Sequence, residues 1–208
     1  MTLPIPAITG STWLGAGNLP GYPGPHAPLL GFIIDRTIFP TRWAEYGFVL
    51  ESLATDAWEG PVLDAGTGFN PEIHVLSCLL GALNIPTVAL DANPATISLP
   101  EFQSVTRIIG NMCQLPQRGA SMGLYVNVSC LEHMTDHDQV MAWAEAFRVL
   151  RPGGTAIVTA DIEDPRALRD AASKVGFVTG PVYALAGPPL TPPVSWIRAM
   201  KPSAEVVA

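Results

Sequence analysis

Residues 62–72 read Val-Leu-Asp-Ala-Gly-Thr-Gly-Phe-Asn-Pro-Glu, and no other stretch restricts the fold as tightly. A short apolar run ends in an acidic residue and passes into a turn containing Gly66 and Gly68. A helix start follows, with Asn70 as cap and Pro71 at the first helical position. The pattern is strand, tight loop, helix. Glycine lets the backbone turn sharply and lets a ligand approach main-chain N–H groups, while a helix start behind it adds unpaired donors and a positive dipole end. Such a loop is expected to hold something small and polar. Two nucleotide-phosphate readings are weakened by what is missing. A dinucleotide fingerprint wants its third glycine where Pro71 stands, and neither Gly-Lys-Ser nor Gly-Lys-Thr occurs in the chain.

Composition narrows the class of ligand. A chain of 208 residues with 48% hydrophobic and 14% charged side chains fits one well-buried globular domain. The net charge is −7 and the 11 Lys and Arg residues are scattered, which argues against a grip on nucleic acid or on an anionic membrane surface. The three cysteines, Cys78, Cys113 and Cys130, show no Cys-x-x-Cys or Cys/His spacing, so neither a disulfide framework nor a metal site is suggested and a reducing cytoplasm fits best. A basic N-terminal region with an apolar core and an apolar run of 18 residues are both missing, so secretion and membrane spanning are not expected.

Along the chain, residues 1–28 are dense in Pro and Gly and read as an irregular arm, with two readings open: a mobile tail, or, with Trp13, Leu14 and Tyr22, a segment that lies over the core or over a neighbouring subunit, a route to a homodimer. The main domain is placed at 29–202 and a frayed tail at 203–208. Trp43, Tyr46, Leu50 and Leu53 share one helical face, as do Ile73, Leu76, Leu80 and Leu83 after the glycine turn. Pro86 to Asp91 is a short strand that again ends on a carboxylate, and with the first strand it makes a parallel pair. Asp91 lies 27 residues after Asp64, and two readings are open for it: acceptor of ribose hydroxyls, or turn initiator before Asn93-Pro94. Residues 106–110 read as a third strand and 122–129 as a fourth. Thr135 and Asp138 form a capping-box pair before a helix whose apolar face is Val140, Trp143, Phe147 and Leu150. Pro152-Gly153-Gly154 ends that helix and leads into a fifth strand, Pro165 to Lys174 is a further helix, and 194–200 is expected as an antiparallel strand at the sheet edge.

The order and wording of these motifs resemble the class I S-adenosylmethionine-dependent methyltransferases that act on small molecules. Asp64-Ala65-Gly66-Thr67-Gly68 resembles the family's first motif, with Asn70 in place of the usual glycine. Ser129-Cys130-Leu131-Glu132-His133 is similar to the Leu-Glu-His phrase after the fourth strand. Arg148 to Val158, through Pro-Gly-Gly, is the most family-specific wording. The resemblance covers roughly half the chain, from Val62 to Ala160. It implies an α/β, Rossmann-like, doubly wound and mostly parallel sheet with an antiparallel edge strand. It also implies an S-adenosyl-L-methionine donor and a small-molecule acceptor such as a metabolite, a sugar or a lipid-linked intermediate. By the same resemblance, Asp64, Ala65, Gly66, Thr67 and Gly68 hold the amino-acid end of the donor, and Asp91 with Ala92 the ribose. Asn111 and Met112 hold the adenine, against the alternative of a polar turn with a core methionine, and Ser129 lines the wall near the methionyl part. His133 is the candidate catalytic residue at the mouth, as proton acceptor or acceptor-orienting group, against the alternative of a residue that tethers its loop; His26, His74 and His137 show no partner spacing. The family's acid at position 111 and its aspartate at 122–123 are replaced by Asn111 and Met122-Gly123. That leaves the rival reading of a non-catalytic donor-binding or scaffold protein on the same fold.

Overall fold

A computed structural model of the chain describes residues 40–55, 58–68, 76–98, 101–162, 164, 166–187 and 190–203. The expected arm at 1–28, the apolar stretch to Phe39, the cap residues Asn70 and Pro71, Ile73, His26 and His74 lie outside the described residues.

The backbone alternates strands and helices: α1 (Pro40–Thr55), β1 (Val62–Ala65), α2 (Leu76–Ala82), β2 (Thr87–Asp91), β3 (Val105–Ile109), β4 (Met122–Val128), α3 (Asp136–Val149), β5 (Leu150–Asp161), α4 (Arg166–Lys174), β6 (Val178–Gly187) and β7 (Leu190–Met200). The seven strands form one sheet in the order β3-β2-β1-β4-β5-β7-β6. Neighbours from β3 to β5 run parallel, whereas β7 is antiparallel to both β5 and β6. Strand order reverses at β1, whose neighbours are β2 on one side and β4 on the other, the kind of switch point where ligands collect in open α/β sheets.

Both faces of the sheet are covered, which explains why its central strands read as unbroken apolar runs rather than alternating ones. On one face α1 and α2 bring Tyr46, Val49, Leu50, Leu53, Leu76, Leu79 and Leu80 against Leu124, Val126 and Ile157. On the other, α3 and α4 bring Trp143, Ala146, Val149, Leu168 and Ala172 against Leu63, Tyr125, Ala156 and Val158. Trp143 sits edge-on to Phe177 at 5.5 Å between centroids. At the start of α3, Thr135 Oγ1 accepts from the Asp138 N–H at 3.2 Å, the capping pair expected from the sequence. Its C-terminal end is held by Lys201 Nζ, which donates to the carbonyls of Phe147 and Leu150 at 2.8 Å each. A cation at this end also suits the helix dipole.

Three local expectations change. Val140 is exposed; the buried side of α3 is Ala142, Trp143, Ala146 and Val149, because the helix presents to the sheet a face offset from the one spanned by Val140 and Phe147. β5 begins at Leu150, ahead of Pro-Gly-Gly; its register with β4 shifts between Met122 and Leu124, and Gly153 takes φ +78° there. The 194–200 strand is antiparallel as expected, but β7 is longer and lies inside the sheet, and the edge is β6. Among the described residues, no helix is long and apolar enough to cross a membrane.

Candidate functional site

The carboxyl ends of β1, β2 and β4 converge on the loop Ala65–Gly68. Asp64, the third residue of β1, is 2 % exposed, and its Oδ2 accepts a hydrogen bond from Thr67 Oγ1 at 2.6 Å. Asp91, the last residue of β2, accepts from the Gly68 N–H at 2.8 Å through Oδ2 and from the Asn93 N–H at 2.8 Å through Oδ1. Two acids from neighbouring strands therefore grip successive residues of one loop. Main-chain bonds from the Gly66 and Thr67 N–H groups to the Leu90 carbonyl, 2.8 and 3.1 Å, and a bond from Thr96 Oγ1 to the Gly68 carbonyl, 2.8 Å, fix it further.

Glycine is required in this loop on two counts. Gly66 and Gly68 have φ of +78° and +74°, and a Cβ at Gly66 would come within 2.6 Å of Cys130 Sγ and 3.1 Å of Met112 Cε. L-residues pay steric energy in the first respect, and the Cys130 side chain and Met112 fill the space in the second. Met112 is thereby placed against the loop, next to the position that the sequence resemblance assigns to an adenine ring. Asn111, just after β3, is exposed. Its Oδ1 accepts from the Cys113 N–H at 2.9 Å, so the group expected to face the adenine amino function is engaged in its own turn. Ala92 is exposed immediately beyond Asp91.

Two buried polar residues that the sequence did not single out hold the β4 end of the site. Asn127, fully buried, donates from Nδ2 to the Ala65 carbonyl at 2.7 Å and accepts the Leu131 N–H on Oδ1 at 3.3 Å. Glu45 of α1, also fully buried, takes the hydroxyls of Ser129 and Thr159 on Oε1, the latter at 2.6 Å, and Arg42 Nη1 on Oε2 at 2.6 Å. Ser129 has φ +43°, a left-handed conformation uncommon for a residue with a side chain. A glutamate among apolar helix residues could have been noticed at Glu45; Asn127, inside a strand pattern, carried no comparable signal.

Beside this network, Glu132 and Asp161 meet at the ends of β4 and β5, where the Asp161 N–H donates to Glu132 Oε1 at 3.2 Å. Glu132 Oε2 and Asp161 Oδ1 are buried without a hydrogen-bond partner. His133 is exposed at the close of the 3-10 turn Leu131–His133. Among the described residues no three His, Cys, Asp or Glu side chains group as metal ligands.

Burial sets the charge state of these groups. It lifts the Asp64 carboxyl from 3.8 to about 7, against the opposing hydrogen bond from Thr67. Burial likewise raises Glu45 against the pull of Arg42, raises Asp161 against Arg42 and His133, raises Glu132 against backbone N–H donors, and pushes the Cys130 thiol up to about 11.

Known proteins share the fold and part of the sequence. The methyltransferase-domain family model matches residues 63–158, which run from β1 to β5. A Mycolicibacterium smegmatis protein described as a probable S-adenosylmethionine-dependent methyltransferase is 36% identical over 139 residues; the match takes in 64% of this chain, and the chain spans about half (51%) of that relative's length. The Burkholderia thailandensis 1,6-didemethyltoxoflavin-N1-methyltransferase, solved with 1,6-didemethyltoxoflavin and S-adenosylhomocysteine, shares the fold at a TM-score of 0.63 and 14% identity, over 86% of this chain and 84% of that one. A phosphoethanolamine N-methyltransferase of Haemonchus contortus, solved with phosphomonomethylethanolamine and S-adenosylhomocysteine, does so at 0.61 and 12%, over 77% and 53%. Motif order, sheet topology and the family match agree: residues 63–158 match the methyltransferase domain, and over 64% of its length the chain is similar to a probable S-adenosylmethionine-dependent methyltransferase.

Proposed function

We propose that this protein transfers a methyl group from S-adenosyl-L-methionine to a small-molecule acceptor. The observation that carries the reading is the double grip of Asp64 and Asp91 on the loop 65–68 at the switch point of the sheet. The residues fit the donor. A left-handed glycine loop, fixed by bonds to Leu90 and Asp91 at the switch point, suits its amino-acid end. Asp91 keeps free lone pairs beyond the two N–H groups it accepts, which suits ribose hydroxyls, and Met112 offers a soft apolar surface for a purine. The sulfonium donor supplies the driving force and the leaving group. The protein's part is to bind, orient and exclude water, and a rigid cradle serves that purpose.

On the acceptor side, the unpartnered oxygens of Glu132 and Asp161 support a molecule that offers an N–H or O–H group at the ends of β4 and β5. Either carboxylate, or the exposed His133, would take the proton such a group releases as its nitrogen or oxygen gains the methyl. The overall negative charge supports a metabolite, a sugar or a lipid-linked intermediate over nucleic acid.

Calorimetric titration with S-adenosylhomocysteine tests the donor site, with binding in the micromolar range expected; absence of binding at millimolar concentration overturns the proposal. The rival reading, a donor-binding scaffold without turnover, draws on one observation, the Asn111 oxygen that already accepts the Cys113 N–H of its own turn. Donor binding with no methyl transfer across a broad panel of amines, phenols, sugars and carboxylic acids would favour it.

A further inference from the structure

A continuous chain of buried polar contacts runs from helix α1 to the donor loop. Glu45 Oε1 accepts from the Ser129 and Thr159 hydroxyls. Ser129 opens the turn that presents the Leu131 N–H to Asn127 Oδ1, and Asn127 Nδ2 holds the Ala65 carbonyl. Glu45 is 0 % exposed, and Asn127 and Thr159 are buried as completely. Ser129 stands at φ +43° where a glycine would be unstrained. A buried carboxylate on α1 is costly to keep, and the network gives a physical reason for its presence. Its acceptor oxygen holds in place a strained serine that would otherwise relax.

We propose that Glu45 is a positioning residue for the donor site. By tying Ser129 into its left-handed turn it keeps Asn127 on the Ala65 carbonyl, so that the seating of α1 and the affinity for the donor are one coupled property. The inference rests on the donor-binding reading above. It assigns to Glu45 an effect on donor affinity that comes through the acceptor oxygen and the Ser129 backbone, with no contact to the donor itself.

The test is a cycle of full-chain variants titrated with S-adenosylhomocysteine. Releasing a left-handed serine changes the balance by about the energy that corresponds to tenfold in affinity. Glu45→Ala is therefore expected to weaken binding about tenfold. Glu45→Gln, which keeps a carbonyl oxygen for both hydroxyls but removes the charge, is expected to stay within about threefold of wild type, by the same conversion. In a Ser129→Gly background, where the positive φ no longer needs the tie, adding Glu45→Ala is expected to cost little further affinity. Hydrogen exchange supplies the reciprocal readout: S-adenosylhomocysteine slows exchange in residues 40–55 of the wild type, and this protection is lost in Glu45→Ala/Ser129→Gly, where α1 is uncoupled although the ligand binds.

Glu45→Gln binding as poorly as Glu45→Ala would show that charge rather than position matters and overturn the proposal. So would a Glu45→Ala loss that is undiminished in the Ser129→Gly background. If Glu45→Ala does not fold, Glu45→Gln and the exchange experiment decide: protection of α1 by S-adenosylhomocysteine that is absent from the wild type overturns the coupling. A wild type that fails to bind S-adenosylhomocysteine at all refutes the proposed function, whereas binding that ignores Glu45 refutes only this inference.

Discussion

Replacing Asp64 by Asn should change how stability depends on pH. The carboxyl ordinarily titrates at 3.8 and is lifted by burial to about 7. Its folded value lies above its unfolded value, so the folded chain holds an extra proton between those limits. The associated stability is complete below the unfolded pKa and is lost as pH rises through about 7. The slope is about 1.36 kcal/mol per pH unit and flattens above about pH 7, so from pH 5 to pH 8 the wild type loses about 3 kcal/mol through this one group. Asp64→Asn keeps an oxygen to accept from Thr67 and has no proton to lose, so this component vanishes. Glu45, Glu132 and Asp161 are raised in the same direction but are common to both proteins and cancel in the difference. For a chain of this length 1 kcal/mol corresponds to about 2–4 °C, so the Tm of the variant should gain about 6–12 °C on that of the wild type between pH 5 and pH 8. Thermal melts followed by circular dichroism at half-unit pH steps measure it. A difference between the two proteins that stays constant across the range would show that Asp64 is ionised in the fold, and the desolvation reasoning would fail.

Three further outcomes follow from the geometry. Asp91→Ala removes the acceptor of the Gly68 N–H together with the proposed ribose ligand, and should weaken S-adenosylhomocysteine binding by at least about tenfold, each charge-assisted hydrogen bond contributing about 1.5–3 kcal/mol; unchanged affinity in a titration would refute its role. Gly123→Ala would drive a Cβ into the Glu59 carbonyl oxygen, a backbone atom, and the forced shift between β4 and the residues before β1 should cost about 1–3 kcal/mol or more in urea unfolding. Trp143→Ala, which empties the largest fully buried side chain among the described residues from beside Phe177, should cost about 3–5 kcal/mol by the same assay, whereas Val140→Ala on the exposed side of the helix should stay within about 0.5 kcal/mol.

The legible parts of this chain were those in which local chemistry and global fold ask for the same residue. Gly66 and Gly68 are demanded by backbone angle, and Gly66 also by crowding from Cys130, while Thr135 with Asp138 caps a helix wherever it is found. Asp64 and Asp91 could be placed because each lies at the carboxyl end of a strand, and the two strands point to the same edge. Side-chain exposure was less legible: Val140 fits a helical face, but which of two overlapping faces meets the sheet depends on how α3 crosses it. The position of β7 was hidden for a related reason, since an antiparallel strand sounds the same in sequence whether it borders the sheet or is inserted within it. Glu45 and Asn127 were missed because their partners lie 114 and 62 positions away, at Thr159 and Ala65, and period and spacing carry no record of such contacts.

That insertion of β7 bears on how the molecule is made. β5 is complete once Asp161 has been synthesised, but its lateral neighbour is Val194 to Met200, reached only after α4 and the outer strand β6 have emerged. Until then a nascent chain carries an uncovered row of β5 backbone groups, open to pairing with another polypeptide. The last strand also brings Lys201 to the end of α3, so a ribosome that stalls before residue 201 leaves both the sheet and that helix unfinished. Productive folding of this domain therefore waits on the synthesis of β7, and chaperones that shield strand edges would matter most before that strand emerges.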